Sequence, residues 1–293
     1  MDATLGRLHL ITDTRPGRDP IGCVRAALAA HAAADDVVRA AAGPLVVQVR
    51  VEDDATDLDA YQLAVRVREL CAAAGAICLV NDRLHVALAI GADGGHVGAL
   101  DLPVAAARRV LGPRAILGAT ARVAGTGSAA VEAGASYLGV GPCYATTTKD
   151  GLPALLGPAG LGAVATAVPV PVIAIAGVTR ARVAELLAAG AYGVAVVGAV
   201  SGAADPGRAV AELLRELAGA VEPADQAPHR AGPEPTDQAP HRAGPEPTVG
   251  TTHPAGGPAD PSGGAALPAA GTTDAAVRMP GGEAERWAGR GAR

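Results

Sequence analysis

Aromatic residues and lysine are scarce in this chain of 293 residues. It has no phenylalanine, four tyrosines and one tryptophan, and its only lysine is Lys149. So few aromatics disfavour a β-sandwich, and they disfavour a nucleic-acid domain that stacks bases on aromatic rings. The core must be built from Ala, Val, Leu and Ile, a composition that suits short parallel strands covered by small-residue helices.

Three further absences concern charge, membrane segments and cysteine motifs. The formal net charge is -5, which gives no electrostatic reason to expect nucleic acid or an anionic membrane as a partner. Apolar runs stop well short of the ~20 residues that span a bilayer, and the N-terminus lacks a basic region followed by an apolar stretch. The four cysteines form no CxxC pair. We expect a cytoplasmic protein with reduced thiols that binds neither nucleic acid nor membrane, and whose assembly as a homo-oligomer stays open.

The composition changes sharply after Ala220. Residues 221–293 are rich in Pro, Gly, Ala, Thr and Asp, and the segment DQAPHRAGPEPT occurs twice in tandem, at 225–236 and 237–248. This region has too few branched apolar residues to offset the entropy of ordering, and its repeats lack the apolar face that a solenoid needs. The sequence predicts one domain over residues 1–220 and a disordered, low-complexity tail over residues 221–293.

Eight apolar, strand-like runs alternate with helix-like segments before this tail. The runs cover residues 8–12, 45–50, 76–80, 94–98, 115–120, 137–141, 171–177 and 192–198. Between the last two, a helix is predicted to begin with Thr179 as its N-cap and to stop at Gly190. Eight such units predict an α/β fold, a closed (β/α)8 TIM barrel. An open doubly wound sheet is the alternative, weakened because no GxGxxG follows the first strand.

Polar residues and glycines stand at the ends of these runs, where (β/α)8 enzymes place their chemistry. Asp82 and Asp101 follow neighbouring strands, which lie roughly 5 Å apart in a sheet. Two carboxylates at that spacing can share a divalent cation such as Mg²⁺. Taken alone, either acid could instead be a helix N-cap or a loop carboxylate. The full set is Asp13, Gln48, Arg50, Asn81, Asp82, Asp101, Thr120, Thr146, Thr148, Lys149, Gly177 and Gly198.

The lysine and two of the glycines indicate where phosphate groups would bind. Lys149 lies among hydroxyls in ATTTKDG, and a compact ammonium there suits a departing diphosphate; a solvated loop lysine is the alternative. Gly177 and Gly198 end the seventh and eighth runs, where backbone N–H groups commonly bind phosphate and glycine allows close approach. The sequence therefore predicts an anionic, phosphorylated substrate held with a divalent cation.

The order and spacing of eight segments resemble the thiamine phosphate synthase family. The segments are LHLITD, QVR, CLVNDRLHVAL, GGHVGALDLP, ILGAT, YLGVGPCYATTTK, VPVIAIAGV and GVAVVGAV. The most specific are the Asn81-Asp82 pair followed by Asp101, and the Thr-x-Thr-Lys that ends at Lys149. The resemblance covers residues 7–217 and leaves out the tail.

The resemblance implies a (β/α)8 transferase that uses Mg²⁺. It would join 4-amino-5-hydroxymethyl-2-methylpyrimidine diphosphate to 5-(2-hydroxyethyl)-4-methylthiazole phosphate. Diphosphate would leave first, and the thiazole nitrogen would capture the pyrimidine cation. Asp82 and Asp101 would bind Mg²⁺, and Gln48 would contact the pyrimidine. The implied diphosphate ligands are Arg50, Asn81, Thr120 and Lys149, of which Arg50, Thr120 and Lys149 would be catalytic. The implied ligands of the thiazole phosphate are Thr146, Thr148, Gly177, Val197 and Gly198.

One charge is inverted relative to that family. The position two after Arg50 is usually lysine and here is Glu52, which would repel a diphosphate. Two alternatives therefore stay open. A thiazole tautomerase-like enzyme shares the barrel but moves a proton, and it should not keep the two acids and the Thr-x-Thr-Lys motif. A non-catalytic barrel would bind only thiazole phosphate or thiamine phosphate.

Overall fold

Eight short parallel strands close into a barrel in the structure, a computed structural model that describes residues 5–148 and 151–219. Each strand pairs with the next along the chain, and the last pairs with the first: His9 lies beside Val46 on one side and Ala195 on the other. The strands are β1 Leu8–Ile11, β2 Val46–Val49, β3 Ile77–Asn81, β4 Gly94–Val97, β5 Ile116–Ala121, β6 Tyr137–Val140, β7 Val172–Ala174 and β8 Gly193–Val196.

Helices connect successive strands and cover the outside of the barrel. Local sequence determines several helix ends. The third helix, α3, begins at a capping box in which Thr56 and Asp59 each accept the other's backbone N–H, and it ends at Gly75 in the left-handed conformation. The helices are α1 Pro20–Ala32, α2 Asp36–Ala42, α3 Asp57–Ala74, α4 Leu84–Ala89, α5 Val104–Leu111, α6 Ala124–Glu132, α7 Gly157–Ala167, α8 Val183–Ala188, α9 Gly198–Ser201 and α10 Pro206–Gly219.

Two apolar clusters pack on opposite faces of the barrel wall, because successive side chains of a strand point to opposite faces. The larger cluster lies between strands and helices and includes Leu10 and Val47. The smaller cluster fills the barrel and includes Ile11, Leu79 and the buried Tyr137. The barrel is therefore a packed core, and only its rim is available for a ligand.

The closed barrel confirms the predicted (β/α)8 fold, and the open-sheet alternative is wrong. The helix expected from Thr179 to Gly190 differs at its start. Arg180–Arg182 form a 3-10 turn, α8 begins only at Val183, and the Thr179 side chain makes no cap hydrogen bond. Its end is as predicted, since Gly190 has a φ of +103° and stops the helix.

The tail predicted over residues 221–293 lies outside the described residues. Its disorder, and the domain boundary at residue 220, stay predictions. Within residues 5–148 and 151–219, no helix combines the length and the apolar character that a membrane span requires.

Candidate active site

The predicted site residues lie at one rim of the barrel. Because all eight strands are parallel, their carboxyl ends meet at the same rim and the following loops surround one opening. Gln48, Asn81 and Thr120 lie on β2, β3 and β5, and Arg50 and Asp82 directly follow β2 and β3. The segments that follow β4, β6, β7 and β8 carry Asp101, Thr146, Thr148, Gly177, Val197 and Gly198, the last of which begins α9. Lys149 lies outside the described residues.

Two threonine hydroxyls of the β6 loop meet the start of α9. The Oγ1 atoms of Thr146 and Thr148 are 2.9 Å apart, and the Thr148 backbone N–H donates to Thr146 Oγ1 at 3.3 Å. A Cβ on Gly198 would lie 3.1 Å from the Thr148 methyl carbon, so the two residues are in contact. The structure thus brings together residues that the sequence separates by about fifty positions.

The β6 loop also packs closely against the end of β7. Ala176 and Gly177 have φ values of 73° and 65°, both in the left-handed region. A Cβ on Gly177 would lie 2.5 Å from the carbonyl oxygen of Ala145 and 2.7 Å from Tyr144 Cβ, so only glycine fits. Arg182 donates to the Gly177 carbonyl at 2.5 Å, and its guanidinium lies 4.1 Å from the centroid of the Tyr144 ring. These contacts hold the backbone of the loop near the rim.

Glu52 faces the rim and pairs with Arg50. Arg50 Nη1 and Nη2 donate to the two carboxylate oxygens of Glu52 at 3.0 and 3.3 Å, and the Arg50 side chain is only 13% exposed. The backbone N–H of Glu52 donates to Thr14 Oγ1 at 3.1 Å, which anchors this turn to the β1 loop. The pair lines a cavity of about 310 Å³, together with Arg15, Asp53, Asp54, Thr147 and Thr148. The Glu52 carboxylate is therefore bonded to the guanidinium for which the family resemblance implies a diphosphate ligand.

A second arginine, Arg15, reaches the same cavity and was missed in the site prediction. Its Nε and Nη2 donate to the buried carboxylate of Asp13 at 2.8 and 2.7 Å, and its Nη1 donates to the Thr147 carbonyl at 3.0 Å. Ser201 Oγ also donates to Asp13 at 2.6 Å. These bonds, those of Arg15 first, lower the pKa of Asp13 to about 2. The network joins the loops after β1, β6 and β8.

The two acids predicted to bind a metal follow neighbouring strands as expected. Asp82 has a φ of 62°, and its backbone N–H donates to the His96 carbonyl at 2.8 Å. Helix α4 begins at Leu84 without a side-chain cap, so the N-cap alternative for Asp82 is wrong. Asp101 is exposed and one of its oxygens accepts the Gly98 N–H at 2.7 Å. The Asp101 carboxylate is thus held by rim backbone, and the backbone of Asp82 is tied to β4 through His96.

Gln48 and Thr120 each bond to a buried ring that the site prediction missed. Gln48 Nε2 donates to Tyr137 Oη at 3.3 Å, and Thr120 Oγ1 lies 3.0 Å from His96 Nε2. His96 and Tyr137 lie on β4 and β6. Their places within two of the predicted strands were the only sign in the sequence that these rings could point into the barrel. Cys143 is buried, and burial raises its pKa to about 11, so it is a packed thiol and not a nucleophile.

Comparison with known proteins gives consistent matches. A family model described as thiamine monophosphate synthase matches residues 8–200. A thiamine-phosphate synthase of Salinispora arenicola is 66% identical over 215 residues, which cover 73% of this chain and 99% of that protein. One of Salinispora tropica is 63% identical over 215 residues, with the same coverage. The solved thiamine phosphate pyrophosphorylase of Pyrococcus furiosus has a TM-score of 0.63 at 30% identity, covering 74% of this chain and 97% of that one.

Proposed function

This chain belongs to the thiamine monophosphate synthase family, and we propose that it makes thiamine phosphate by joining 4-amino-5-hydroxymethyl-2-methylpyrimidine diphosphate to 5-(2-hydroxyethyl)-4-methylthiazole phosphate. The observation that carries the proposal is the arrangement of polar groups at the rim. One group suits a phosphate monoester and the other suits a diphosphate. Two relatives that are 66% and 63% identical to this chain are named thiamine-phosphate synthase, and the match covers 99% of each of them.

The phosphate of the thiazole substrate is proposed to bind where the loops after β6, β7 and β8 meet. The hydroxyls of Thr146 and Thr148 lie together there, and Thr148 touches Gly198. Gly177, held against the β6 loop, and Val197, which directly follows β8, flank this point. Hydroxyls and backbone N–H groups at the ends of the seventh and eighth strands are a common phosphate site in such barrels.

The diphosphate is proposed to bind at the same rim, above β2, β3 and β5. Arg50 supplies a guanidinium that can make two parallel hydrogen bonds to a phosphate group. Asn81 on β3 and Thr120 on β5 add an amide and a hydroxyl. Lys149 is proposed as a further cation, and its position in the Thr-x-Thr-Lys segment next to Thr148 supports this role.

Asp82 and Asp101 fit a hard divalent cation by their chemistry. Asp101 is anchored through its carboxylate and Asp82 through its backbone N–H. Mg²⁺ usually takes one or two carboxylates and completes its shell with water and phosphate oxygens. The part of the chain that the structure describes contains no group of three or more His, Cys, Asp or Glu side chains suited to a metal. The proposed site has only two acids, and the oxygens of the substrate would supply the further ligands. Bound there, Mg²⁺ would neutralise charge on the diphosphate.

The reaction follows from stabilising a leaving group. The bond between the pyrimidine methylene carbon and the diphosphate oxygen breaks, and the oxygen keeps the electron pair. The methylene cation is then captured by the lone pair of the thiazole nitrogen. Arg50, Thr120 and Lys149 donate to oxygens whose charge grows as the bond breaks, so their bonds strengthen in the transition state and lower the barrier. No general base is needed for either step.

The tautomerase alternative needs a base at the rim. His96 is the ring closest to this role by its contact with Thr120, but it is buried and its ring nitrogens contact Tyr137 and Thr120. The alternative of a non-catalytic, binding-only barrel is favoured by the pairing of Glu52 with Arg50, because that pairing would weaken diphosphate binding. The synthase relatives disfavour both alternatives.

We place the enzyme in the cytoplasm as part of this proposal. The structure has four free cysteines and pairs none of them, which supports a reducing compartment. Its proposed partners are the two small-molecule substrates, with no nucleic acid or membrane, and its homo-oligomeric state is to be measured by light scattering.

The test is product formation by the full chain. The two substrates and Mg²⁺ are incubated with the protein, and thiamine phosphate is read by its fluorescent oxidation product while diphosphate is measured separately. We expect both products in equal amounts, and none when either substrate is left out. Calorimetric binding of the thiazole phosphate without any turnover would instead support the binding-only barrel. Failure to bind or convert either substrate, beside an active synthase from the same family, would refute the proposal.

A further inference from the structure

Buried polar side chains cross the interior of the barrel. Such interiors are usually filled by branched aliphatic residues, yet His9, Gln48, His96 and Tyr137 are each at most 8% exposed. Buried polar groups cost free energy unless they are hydrogen-bonded. Neither the binding of the two phosphates nor the loss of diphosphate uses His96 or Tyr137, so these two rings need another explanation.

A polar row, defined as Gln48, Tyr137, His96 and Thr120, is linked by three hydrogen bonds. Gln48 Nε2 lies 3.3 Å from Tyr137 Oη, which lies 3.1 Å from His96 Nδ1. His96 Nε2 lies 3.0 Å from Thr120 Oγ1. The two ends of the row are the residues proposed to contact the pyrimidine and the diphosphate. The two rings therefore connect the residues that hold the two parts of one substrate.

The polar row has a direction, because the Gln48 atom that contacts Tyr137 is the amide nitrogen Nε2, which can only donate. An amide nitrogen donates, so Tyr137 Oη accepts from Gln48 and turns its own proton toward His96 Nδ1. Burial raises the pKa of Tyr137, so the phenol keeps that proton. His96 Nδ1 is then the ring nitrogen without hydrogen, and Nε2–H donates to Thr120 Oγ1. The Thr120 hydroxyl keeps its own proton for another acceptor.

Two glycines make room for the rings. Gly118 on β5 is the cross-strand neighbour of both His96 and Tyr137. A Cβ on Gly118 would lie 2.2 Å from Tyr137 Cζ and 2.3 Å from His96 Nδ1. A Cβ on Gly139 would lie 3.0 Å from His96 Cε1. Any larger residue at position 118 would displace the rings, so the two neighbouring strands are shaped to accommodate them.

We propose that His96 and Tyr137 are positioning residues that orient the Gln48 amide and the Thr120 hydroxyl toward the pyrimidine diphosphate. The proposal rests on the proposed function, which assigns both ends of the polar row to that substrate. Gln48 presents Oε1 and its second N–H to the pyrimidine, a pair that matches an exocyclic amino group and a ring nitrogen. Thr120 presents an O–H donor, which suits a phosphate oxygen.

Tyr137→Phe tests the first link, because it removes the hydroxyl and keeps the ring that fills the barrel. We expect the KM for the pyrimidine diphosphate to rise roughly tenfold, the effect of one misdirected hydrogen bond. The KM for thiazole phosphate should not change. The calorimetric Kd of the pyrimidine diphosphate should rise by the same factor as its KM.

Two substitutions of His96 separate the other links. The amide nitrogen of His96→Gln reaches about the place of Nε2 and keeps a donor to Thr120. The shorter amide of His96→Asn lies near the place of Nδ1 and keeps only the contact with Tyr137. We expect His96→Gln to retain more of kcat than His96→Asn, because the Thr120 hydroxyl acts on the departing diphosphate. Equal kcat values in the two variants would contradict the assigned direction.

His9→Gln is the matched control for loss of a buried ring. His9 packs against Tyr137 with ring centroids 5.2 Å apart, but it bonds the Gly6 carbonyl at 3.2 Å and no member of the polar row. The His9→Gln variant should have a lower melting temperature and unchanged KM values for both substrates. The proposal is overturned if Tyr137→Phe leaves the KM and Kd for the pyrimidine diphosphate unchanged. It is also overturned if Tyr137→Phe and His9→Gln raise the KM values for the two substrates by the same factors. A parent that binds pyrimidine diphosphate but makes no product refutes the proposed function alone, because the Kd comparison still tests the polar row.

Discussion

Replacing Glu52 by glutamine should strengthen the binding of the pyrimidine diphosphate. In the free protein the Glu52 carboxylate holds both terminal nitrogens of Arg50, at 3.0 and 3.3 Å. A diphosphate that uses the same guanidinium must displace this carboxylate or bind beside it. Glu52→Gln keeps the length of the side chain and removes the charge, so it isolates the electrostatic part of the competition.

The size of the effect follows from charge and distance. A phosphate oxygen on the far side of the Arg50 guanidinium would lie roughly 5 Å from a carboxylate that stayed in place. Two unit charges at about that separation repel by about 3 kcal/mol at an effective dielectric constant of about 20. Glu52 is 30% exposed, so it can turn partly to solvent, and salt screens the remainder. We expect about 1–2 kcal/mol, equivalent to a Kd that falls about five- to thirtyfold.

The assay is calorimetric titration of the pyrimidine diphosphate at low and high salt, beside steady-state kinetics for both substrates. The difference between parent and Glu52→Gln should shrink at high salt, and the KM for thiazole phosphate should stay the same. Glu216→Gln is the control, because it makes the same change in a pair of 2.8 Å with Arg180, and neither residue lines the cavity that contains Glu52, called here the Glu52 cavity. Equal affinity in parent and Glu52→Gln, or an equal gain in Glu216→Gln, would refute the competition for Arg50.

Three further predictions concern the other charged groups of the rim. Lys149→Ala should lower kcat more than it raises either KM, with partial recovery in Lys149→Arg; unchanged turnover in steady-state kinetics would refute a role on the leaving group. Asp101→Asn should raise the Mg²⁺ concentration needed for half-maximal activity, because the amide can still accept the Gly98 N–H but carries no charge; an unaltered metal titration would argue against the two-acid site. Asp13, whose pKa is lowered from 3.8 to about 2, stabilises the fold above pH about 4 and loses that contribution as the pH falls through about 2. Asp13→Asn should therefore lower the free energy of unfolding by about 2 kcal/mol at neutral pH, and the difference should vanish toward pH 2 in urea titrations.

The fold could be predicted because its signals are local. Each strand is a short apolar run that stops at Gly, Pro or charge, and each connecting segment is long enough for a helix, so the count of eight units leads to the barrel. The exact residue at which a helix begins depends less on local sequence. Thr179 has the residue type of an N-cap, yet the chain forms a 3-10 turn before α8, and no side-chain bond is made. Residue type alone therefore does not give the exact start of this helix.

The part of the candidate site that could be predicted is the part that follows from one rule: parallel strands bring their carboxyl ends to the same rim. That rule places Gln48 and Thr120 at one rim, but it does not give the register of eight strands or the direction of a loop side chain. The meeting of His96 with Tyr137 depends on both lying beside Gly118 in the sheet. The contact of Arg15 with Thr147 spans 132 positions of the chain. Such contacts follow from tertiary geometry and have no signal in residue spacing.

The charges of the Glu52 cavity bear on how a diphosphate can enter it. Two arginines, Arg15 and Arg50, face three carboxylates, Glu52, Asp53 and Asp54, so the lining is formally negative by one. Arg15 is moreover already paired with Asp13. A free diphosphate would meet net repulsion there, whereas a diphosphate whose charge is neutralised by Mg²⁺ and by Lys149 would not. We therefore expect Glu52, where the family resemblance implies a lysine, to increase the dependence of substrate binding on the proposed metal and on Lys149.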